Sequence, residues 1–275
     1  MRLMRLKLSL AALGTAALIA GGVYLYEREK NHVCCAIPPI EDRETLGIMS
    51  SLPLFWPLDV EMSEVVRGDA PIPWQREALE QRFNLAPLDT LSPIADVAPD
   101  SSEIDPLAAI ERIAIIQPRL LTPEDNVALD DWVREGGQLL LVLDPALTGT
   151  YELPLGDPRR PLASALYSLP PVLTRWGLEL QYEVPETFEA GIAAITLGNQ
   201  ELTVEHGGTW SIADADAAAC RLLARSVVAQ CEVGAGMVTV MADAALFERP
   251  DLAGESGATL MHIFDLAFPA RKTQA

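Results

Sequence analysis

Residues 121–145, LTPEDNVALDDWVREGGQLLLVLDP, decide the fold class because they predict a helix, a turn and a buried strand in succession. Thr122 can cap a helix that begins at Pro123, since a threonine oxygen accepts a hydrogen bond from the first turn and proline suits the first helical position. The glycine pair at 136–137 ends that helix. Residues 139–143 are five consecutive large apolar residues, which is typical of a strand covered on both faces.

A second apolar run, RIAIIQ at residues 112–117, precedes this unit and predicts a neighbouring parallel strand. Later in the chain the apolar residues alternate with a period of two. Predicted turns at Gly198-Asn199, at Gly207-Gly208 and at residues 234–236 separate these runs into antiparallel hairpins. The sequence therefore predicts an α/β domain with a mostly parallel sheet and added antiparallel hairpins.

Further segments have the apolar spacing of strands or helices. They are a strand over 46–51, a helix over 74–83, a strand over 85–91, a helix in two pieces over 162–176, a strand over 178–184 and a closing helix over 256–268.

The N-terminus predicts a membrane anchor. Residues 8–26 are 19 uncharged, mainly apolar residues behind Arg2, Arg5 and Lys7, about the length that spans a bilayer as a helix. A cleaved signal peptide is the alternative, but Leu18-Ile19-Ala20 places a large residue where cleavage prefers a small one. Because a basic leader stays in the cytoplasm, the rest of the chain is expected on the outer side of the membrane.

These features divide the chain into four predicted parts. They are a cytoplasmic leader and transmembrane anchor at 1–30, a linker at 31–45, an extracytoplasmic α/β domain at 46–268 and a tail at 269–275. In a bacterium, the protein would be a single-pass inner-membrane protein with its C-terminal domain in the periplasm.

The charge of the predicted outer part is strongly negative. Residues 1–30 contain two of the 39 acidic and five of the 20 basic residues, which leaves 37 against 15 and a charge of −22 for the remainder. Such a surface repels nucleic acid and anionic lipid headgroups, so we expect neither as a partner. Solubility alone would also explain the excess of carboxylates.

Four cysteines are present, and an oxidising compartment would allow them to form disulfides. Cys220 and Cys231 lie eleven residues apart in strand-like surroundings, so a cross-strand disulfide between them is a reasonable hypothesis. The adjacent Cys34 and Cys35 lie in the predicted linker, and the sequence does not indicate their pairing.

Two sets of residues are candidates for a binding site. Asp144 and Asp243 each follow a predicted strand, and Gln117 ends another, so the three would meet at the carboxyl edge of the sheet and could bind a small ligand or cation. Capping of the following turns is the alternative role for the aspartates. Phe55 and Trp56 lie in a loop after the first strand and could form an interaction surface, whereas packing into the core or facing the membrane is the alternative.

The chain shows no recognisable catalytic arrangement. No cysteine or serine stands between small residues on a turn from a strand into a helix, and spacing alone leaves open a pairing of His206 with Cys220 or Cys231. The sequence has neither a glycine-rich phosphate loop nor the ligand spacing of a zinc site. We therefore expect no enzymatic activity, no metal and no cofactor.

The chain resembles a known superfamily in two stretches. TPEDNVALDDWVREGGQLLLVLDP at 122–145 and the later GAGMVTVMADAALF at 234–247 look like the class I glutamine amidotransferase-like superfamily. More narrowly, they resemble its non-enzymatic, membrane-anchored branch, which includes GldG-like auxiliary components of ABC-type transport. The resemblance covers about residues 46–268 and implies a flavodoxin-like sheet.

The sequence as a whole favours a membrane-anchored, extracytoplasmic, non-catalytic protein-interaction module. Its partner would be an envelope or transporter protein, as for an accessory component of an ABC-type transport assembly. A ligand-binding sensor or transport accessory that uses an acidic cleft at the sheet edge is the alternative, and a degenerate amidotransferase-like hydrolase is the third hypothesis.

Overall fold

The computed structural model describes residues 43–58, 60–95, 103–154, 156–164 and 169–269. Eleven strands are assigned in these residues: β1 (Glu44–Ser50), β2 (Phe83–Pro87), β3 (Arg112–Ile116), β4 (Gln138–Val142), β5 (Leu178–Gln181), β6 (Ile192–Leu197), β7 (Gln200–Glu205), β8 (Thr209–Ile212), β9 (Ala219–Leu223), β10 (Val228–Val233) and β11 (Gly236–Met241). The α-helices in the same residues are α1 (Met62–Arg67), α2 (Trp74–Glu80), α3 (Pro123–Arg134), α4 (Val172–Arg175), α5 (Ala245–Glu248) and α6 (Ala258–Ala267).

A seven-stranded sheet with the order β2-β1-β3-β4-β11-β10-β9 forms the centre of the fold. The first five strands in this order are parallel, whereas β10 is antiparallel to both β11 and β9. Two antiparallel ribbons, β5-β8 and β6-β7, lie outside this sheet. The architecture is α/β with a mostly parallel sheet and antiparallel additions, as predicted.

The β3-α3-β4 unit forms where the opening sequence placed it. The Thr122 hydroxyl accepts a hydrogen bond from Asp125 N at 3.0 Å, and the Asp125 carboxylate accepts one from Thr122 N at 3.2 Å. Asp125 also accepts bonds from Leu91 N at 2.8 Å and from the Thr90 hydroxyl at 2.8 Å. Burial raises the pKa of Asp125, but these hydrogen bonds outweigh that effect and lower the pKa to about 2. The cap of α3 therefore also holds a distant loop.

Side chains of the central strands alternate between two apolar layers. In β4, Leu140 and Val142 belong to one layer, whereas Leu139 and Leu141 belong to the other, and all four are 0% exposed. Burying one such side chain contributes about 1.5–3 kcal/mol. The first layer is completed by α2, α5, α6 and the β6-β7 ribbon, and the second by α3, α4 and the β5-β8 ribbon. This two-sided burial explains the continuous apolar run in β4.

The predicted hairpin around Gly207-Gly208 is wrong, because β8 pairs with β5 and not with β7. A Cβ atom at Gly207 would lie 2.9 Å from Ala242 O, and one at Gly208 would lie 2.7 Å from Gln181 O. The two glycines permit the chain to pass close to neighbouring backbone, which a sequence pattern cannot distinguish from a turn.

Several other boundaries differ from the prediction. The helix predicted over 74–83 ends at Glu80, and the strand predicted over 85–91 is β2, Phe83–Pro87. In the described part of 162–176, the α-helical residues are only the four of α4. The strand expected over 178–184 ends at Gln181. The first strand begins at Glu44, two residues inside the predicted linker.

The predicted anchor at 8–26 lies outside the described residues, as do Cys34 and Cys35. Within the described ranges, no helix has the length and apolar character needed to cross a membrane.

Candidate functional site

Asp144 and Asp243 meet at the carboxyl edge of the sheet because they follow two paired parallel strands. Val142 of β4 is in register with Met241 of β11, and each aspartate comes two residues later. The Asp144 carboxylate accepts hydrogen bonds from Ala146 N at 2.9 Å and from Ala244 N at 3.0 Å. Asp144 thus joins the turns that follow both strands.

The Asp243 carboxylate also accepts two backbone hydrogen bonds. Its donors are Glu205 N at 2.7 Å and Ala245 N at 2.9 Å. The first bond ties the end of the β6-β7 ribbon to the sheet, and the second begins α5. Both aspartates are therefore occupied by the main chain.

Gln117, which follows β3, completes the arrangement. Its amide nitrogen donates to Asp144 O at 3.1 Å and to Leu162 O at 2.7 Å, while its amide oxygen accepts from Asp144 N at 2.7 Å. Gln117 is 1% exposed and both aspartates are 0% exposed. The three predicted ligand-binding side chains lie together but do not line an open cleft.

Burial changes the acidity of this pair. It raises the pKa of Asp144 well above the usual aspartate value, and the charge of Asp243 raises it further. Burial likewise raises the pKa of Asp243, to about 7, although the N–H groups of Glu205 and Ala245 oppose the change. Two buried carboxylates side by side therefore favour the retention of a proton at neutral pH.

An open groove of about 1130 Å³ lies beside these buried side chains. The segments that line it follow the carboxyl ends of β1, β4 and β11. We call it the edge groove; its principal walls are Pro57, Trp74, Tyr151, Leu153, Phe247 and Glu248. Loops at this edge are where open α/β sheets bind ligands.

Glu248 and Tyr151 face each other in the edge groove. The Tyr151 hydroxyl donates a hydrogen bond to Glu248, and Thr148 N donates another at 2.9 Å. Burial and the charge of Glu248 raise the pKa of Tyr151 above its usual value. Arg160 fixes this wall by donating to the carbonyl oxygens of Tyr151 and Leu153.

The predicted interaction residues lie next to the edge groove. Phe55 packs against the core, whereas Trp56 is 47% exposed and its ring lies 5.4 Å from the Arg76 guanidinium carbon. The prolines on either side of them, Pro53 and Pro57, line the groove. Of the two predicted residues, Phe55 therefore belongs to the core, and only Trp56 is exposed beside the groove.

Sequence reasoning missed Tyr151 and Glu248 because they lie in irregular or very short elements. Residues 148–161 are rich in proline and glycine and lack periodicity. A tyrosine soon after the carboxyl end of a central strand was the available signal, since such loops carry binding residues.

The described residues contain no cysteine–histidine pair for nucleophilic chemistry. Cys220 and Cys231 are joined by a disulfide with an S–S distance of 2.00 Å, across β9 and β10. The His206 ring packs on Phe188 with 4.7 Å between the ring centroids, and His262 Nε2 lies 2.9 Å from Leu197 O. The same residues contain no group of three or more side chains suited to a metal ion.

No family model matches this sequence, and no curated protein matches it. Among solved structures, the chain is similar to the mmIFT52 N-terminal domain, with 13% identity, a TM-score of 0.50 and coverage of 83% of this chain and 99% of that one. It is also similar to a cytoplasmic protein from Salmonella typhimurium LT2, with 13% identity, a TM-score of 0.47 and coverage of 81% and 99%.

A third similar structure is the exo-β-1,4-mannosidase Op5Man5 from Opitutaceae bacterium strain TAV5. The identity is 15%, the TM-score is 0.45, and the alignment covers 82% of this chain and 36% of that one. The present chain thus spans little more than a third of the mannosidase. At these identities the similarities concern the fold alone.

Proposed function

We propose that this protein is a non-catalytic binding module that engages a partner protein through the edge groove. A single observation carries the proposal: the polar side chains at the carboxyl edge of the sheet are buried and bound to backbone, while the open groove beside them combines aromatic and apolar residues with acidic ones. Concave sites of this composition bind other molecules.

We further propose that residues 8–26 anchor the module in the inner membrane and that the α/β domain lies in the periplasm. The apolar run behind a basic leader supports this orientation. The Cys220–Cys231 disulfide supports an oxidising compartment. In this setting the partner is an envelope or transporter protein, and the module is an accessory of an ABC-type transport assembly.

The resemblance to the class I glutamine amidotransferase-like superfamily and its GldG-like branch is part of the same proposal. The parallel strand order β2-β1-β3-β4-β11 supports it, because a flavodoxin-like sheet has the equivalent order 2-1-3-4-5. No observation favours a degenerate hydrolase.

Site-specific photo-crosslinking in native membranes tests the proposed groove. A photoreactive phenylalanine analogue replaces Leu153, in the groove wall, or Leu222, which is 39% exposed on β9. We expect a discrete crosslinked product from the Leu153 position alone. The same products from both positions, or none from either, would contradict the proposal.

A small-ligand sensor is the second candidate, and the size of the groove favours it. Its volume of about 1130 Å³ is close to the upper end of the roughly 300–1,000 Å³ of typical ligand pockets, so a small molecule would fit. A metabolite that raises the unfolding temperature of the full-length protein, and no longer does so after Trp74→Ala, would favour the sensor over the interaction module.

A further inference from the structure

The carboxylate of Glu248 lies in the edge groove without a cationic partner. Its hydrogen-bond donors are neutral: the Tyr151 hydroxyl, the Thr148 N–H group and, at 3.4 Å, the Thr148 hydroxyl. The described residues contain no lysine, and no arginine among them forms an ion pair with Glu248. A half-buried negative charge in the wall of a groove is therefore left for an external cation.

Acidic side chains in the groove lining add to this negative charge. Glu61 and Glu152 line the groove together with Glu248. The buried Asp144 and Asp243 contribute little at neutral pH, because burial favours their protonated forms. Arg249 does not offset Glu248, because it binds Glu205 at 2.9 Å and Asp251 at 2.6 Å. The three glutamates therefore make the potential in the groove negative.

The other arginines near the groove are also occupied. Arg159 binds Asp157 at 2.9 Å, and Arg160 donates to two carbonyl oxygens. The remaining charged residues in the groove lining, Glu61 and Glu152, are both acidic. Arg160 is held by carbonyl oxygens and not by a carboxylate, and its guanidinium carbon lies 6.0 Å from the Tyr151 ring centroid. It is not part of the groove lining, where glutamates outnumber the single arginine, Arg159.

The aromatic residues of the groove also favour the binding of a cation. Trp74, Tyr151 and Phe247 line the groove around Glu248, and aromatic faces attract guanidinium and ammonium groups. The neighbouring Trp56 already has a guanidinium carbon 5.4 Å from its ring centroid. Apolar Pro57 and Leu153 extend the wall on either side.

We propose that the edge groove receives an arginine or lysine side chain of the partner protein, flanked by apolar residues, and that this cation pairs with Glu248. The inference rests on the proposed binding of a partner in the groove and adds the chemistry of the segment that enters it. Charge complementarity selects this segment over a neutral one of the same shape.

Two synthetic peptide pools test the inference. Both contain capped heptapeptides with mixed apolar residues, and the central residue is arginine in one pool and citrulline, its neutral isostere, in the other. Immobilised full-length protein in nanodiscs retains peptides, which mass spectrometry quantifies. We expect the arginine pool to be retained about tenfold more than the citrulline pool, as for a charge-assisted pair, with the ratio falling as salt is added.

Substitutions then locate the effect. Glu248→Gln should bring the ratio close to one, whereas the matched Glu201→Gln on the exposed edge of β7 should leave it unchanged. If Glu248→Gln fails to fold, a third pool with a central glutamate tests the charge on the wild-type protein: it should be retained less than the citrulline pool, and equal retention would refute a negative groove.

Each remaining outcome overturns a defined statement. Equal, salt-independent retention of both pools by the wild-type protein would agree with peptide binding in the groove but refute the pairing of a cation with Glu248. Retention of neither pool would refute both the cation and the proposed groove function. An unchanged ratio in folded Glu248→Gln would place the cation elsewhere.

Discussion

Carboxylates at the buried end of the sheet and in the edge groove have opposite roles: the first hold the backbone, and the second is open to a partner. Asp243 and Glu248 are five residues apart, yet Asp243 is 0% exposed and accepts two backbone N–H groups, whereas Glu248 is half-buried and faces a groove. Burial raises the pKa of Asp243 to about 7. The donors that surround a carboxylate, more than its position at a strand end, decide whether it holds the fold or is open to a partner.

The first and largest test of this contrast is Asp144→Ala. Two backbone N–H groups, those of Ala146 and Ala244, would lose their acceptor. We expect a loss of about 2–5 kcal/mol in the free energy of unfolding, since each buried donor left unpaired costs about 1–3 kcal/mol. Urea denaturation near pH 5 measures it.

Glu248→Ala is the matched change in the groove and should cost about 1 kcal/mol, because water can reach the groups it leaves unpaired. Equal losses in the two variants would remove the distinction between a structural and an exposed carboxylate.

The second test concerns a part of the sheet remote from the groove. The Cys220–Cys231 disulfide closes a loop with a sequence separation of 11. Replacing both cysteines by alanine should lower the free energy of unfolding by about 2–3 kcal/mol, mainly through the entropy of the unfolded chain.

Chemical denaturation with and without reductant measures this effect. Reductant should weaken the wild-type protein and leave the double variant unaffected. A change in peptide retention by the variant would show that the β9 edge and the groove are coupled.

The third test is the dependence of stability on pH. Folding raises the pKa of Asp243 from 3.8 to about 7, so its protonated form is favoured in the folded state. Its contribution to stability is complete below about pH 4 and is lost as the pH rises through about 7. Thermal unfolding temperatures should therefore fall between these values.

Asp243→Asn should flatten that decline. An amide offers one acceptor oxygen to two N–H groups, so we expect the variant to be about 1–2 kcal/mol less stable near pH 5, with a smaller difference near pH 8. A parallel decline in both proteins would assign the titration to another group.

The smallest expected effect on the free energy of unfolding comes from the Tyr151–Glu248 hydrogen bond in the groove wall. Tyr151→Phe removes the hydroxyl that donates to Glu248 and should cost about 0.5–1.5 kcal/mol in unfolding free energy. Tyr182→Phe, outside the groove, is the control and should be neutral. Equal effects would mean that the Tyr151–Glu248 hydrogen bond contributes nothing to stability.

The sequence predicted correctly those elements that depend on contacts between residues close together in the chain. The cap at Thr122 forms as expected, and the hairpins at Gly198-Asn199 and residues 234–236 are present. The closing helix is also confirmed, as Ala258–Ala267. Helix caps, tight turns and apolar periods involve neighbours in the chain, so one sequence is enough to read them.

Contacts between distant segments could not be predicted in the same way. Gly207-Gly208 has the composition of a hairpin turn, but its role depends on the backbone of Ala242 and Gln181. The burial of Gln117 depends on Leu162, which lies 45 residues away. Contacts between residues so far apart in the sequence leave no periodic pattern from which they could be predicted.

The sequence by itself determined the α/β class and the positions of Asp144, Asp243 and Gln117 at strand ends, because strand ends and apolar runs are local properties. That the three residues share one edge, and that Cys220 and Cys231 lie in paired strands, were hypotheses that depended on strand pairing. Only the tertiary structure decided that these aspartates are closed off by backbone donors while Tyr151 and Glu248 face an open groove. Burial is set by which segments pack over a residue, and those segments are far away in the chain.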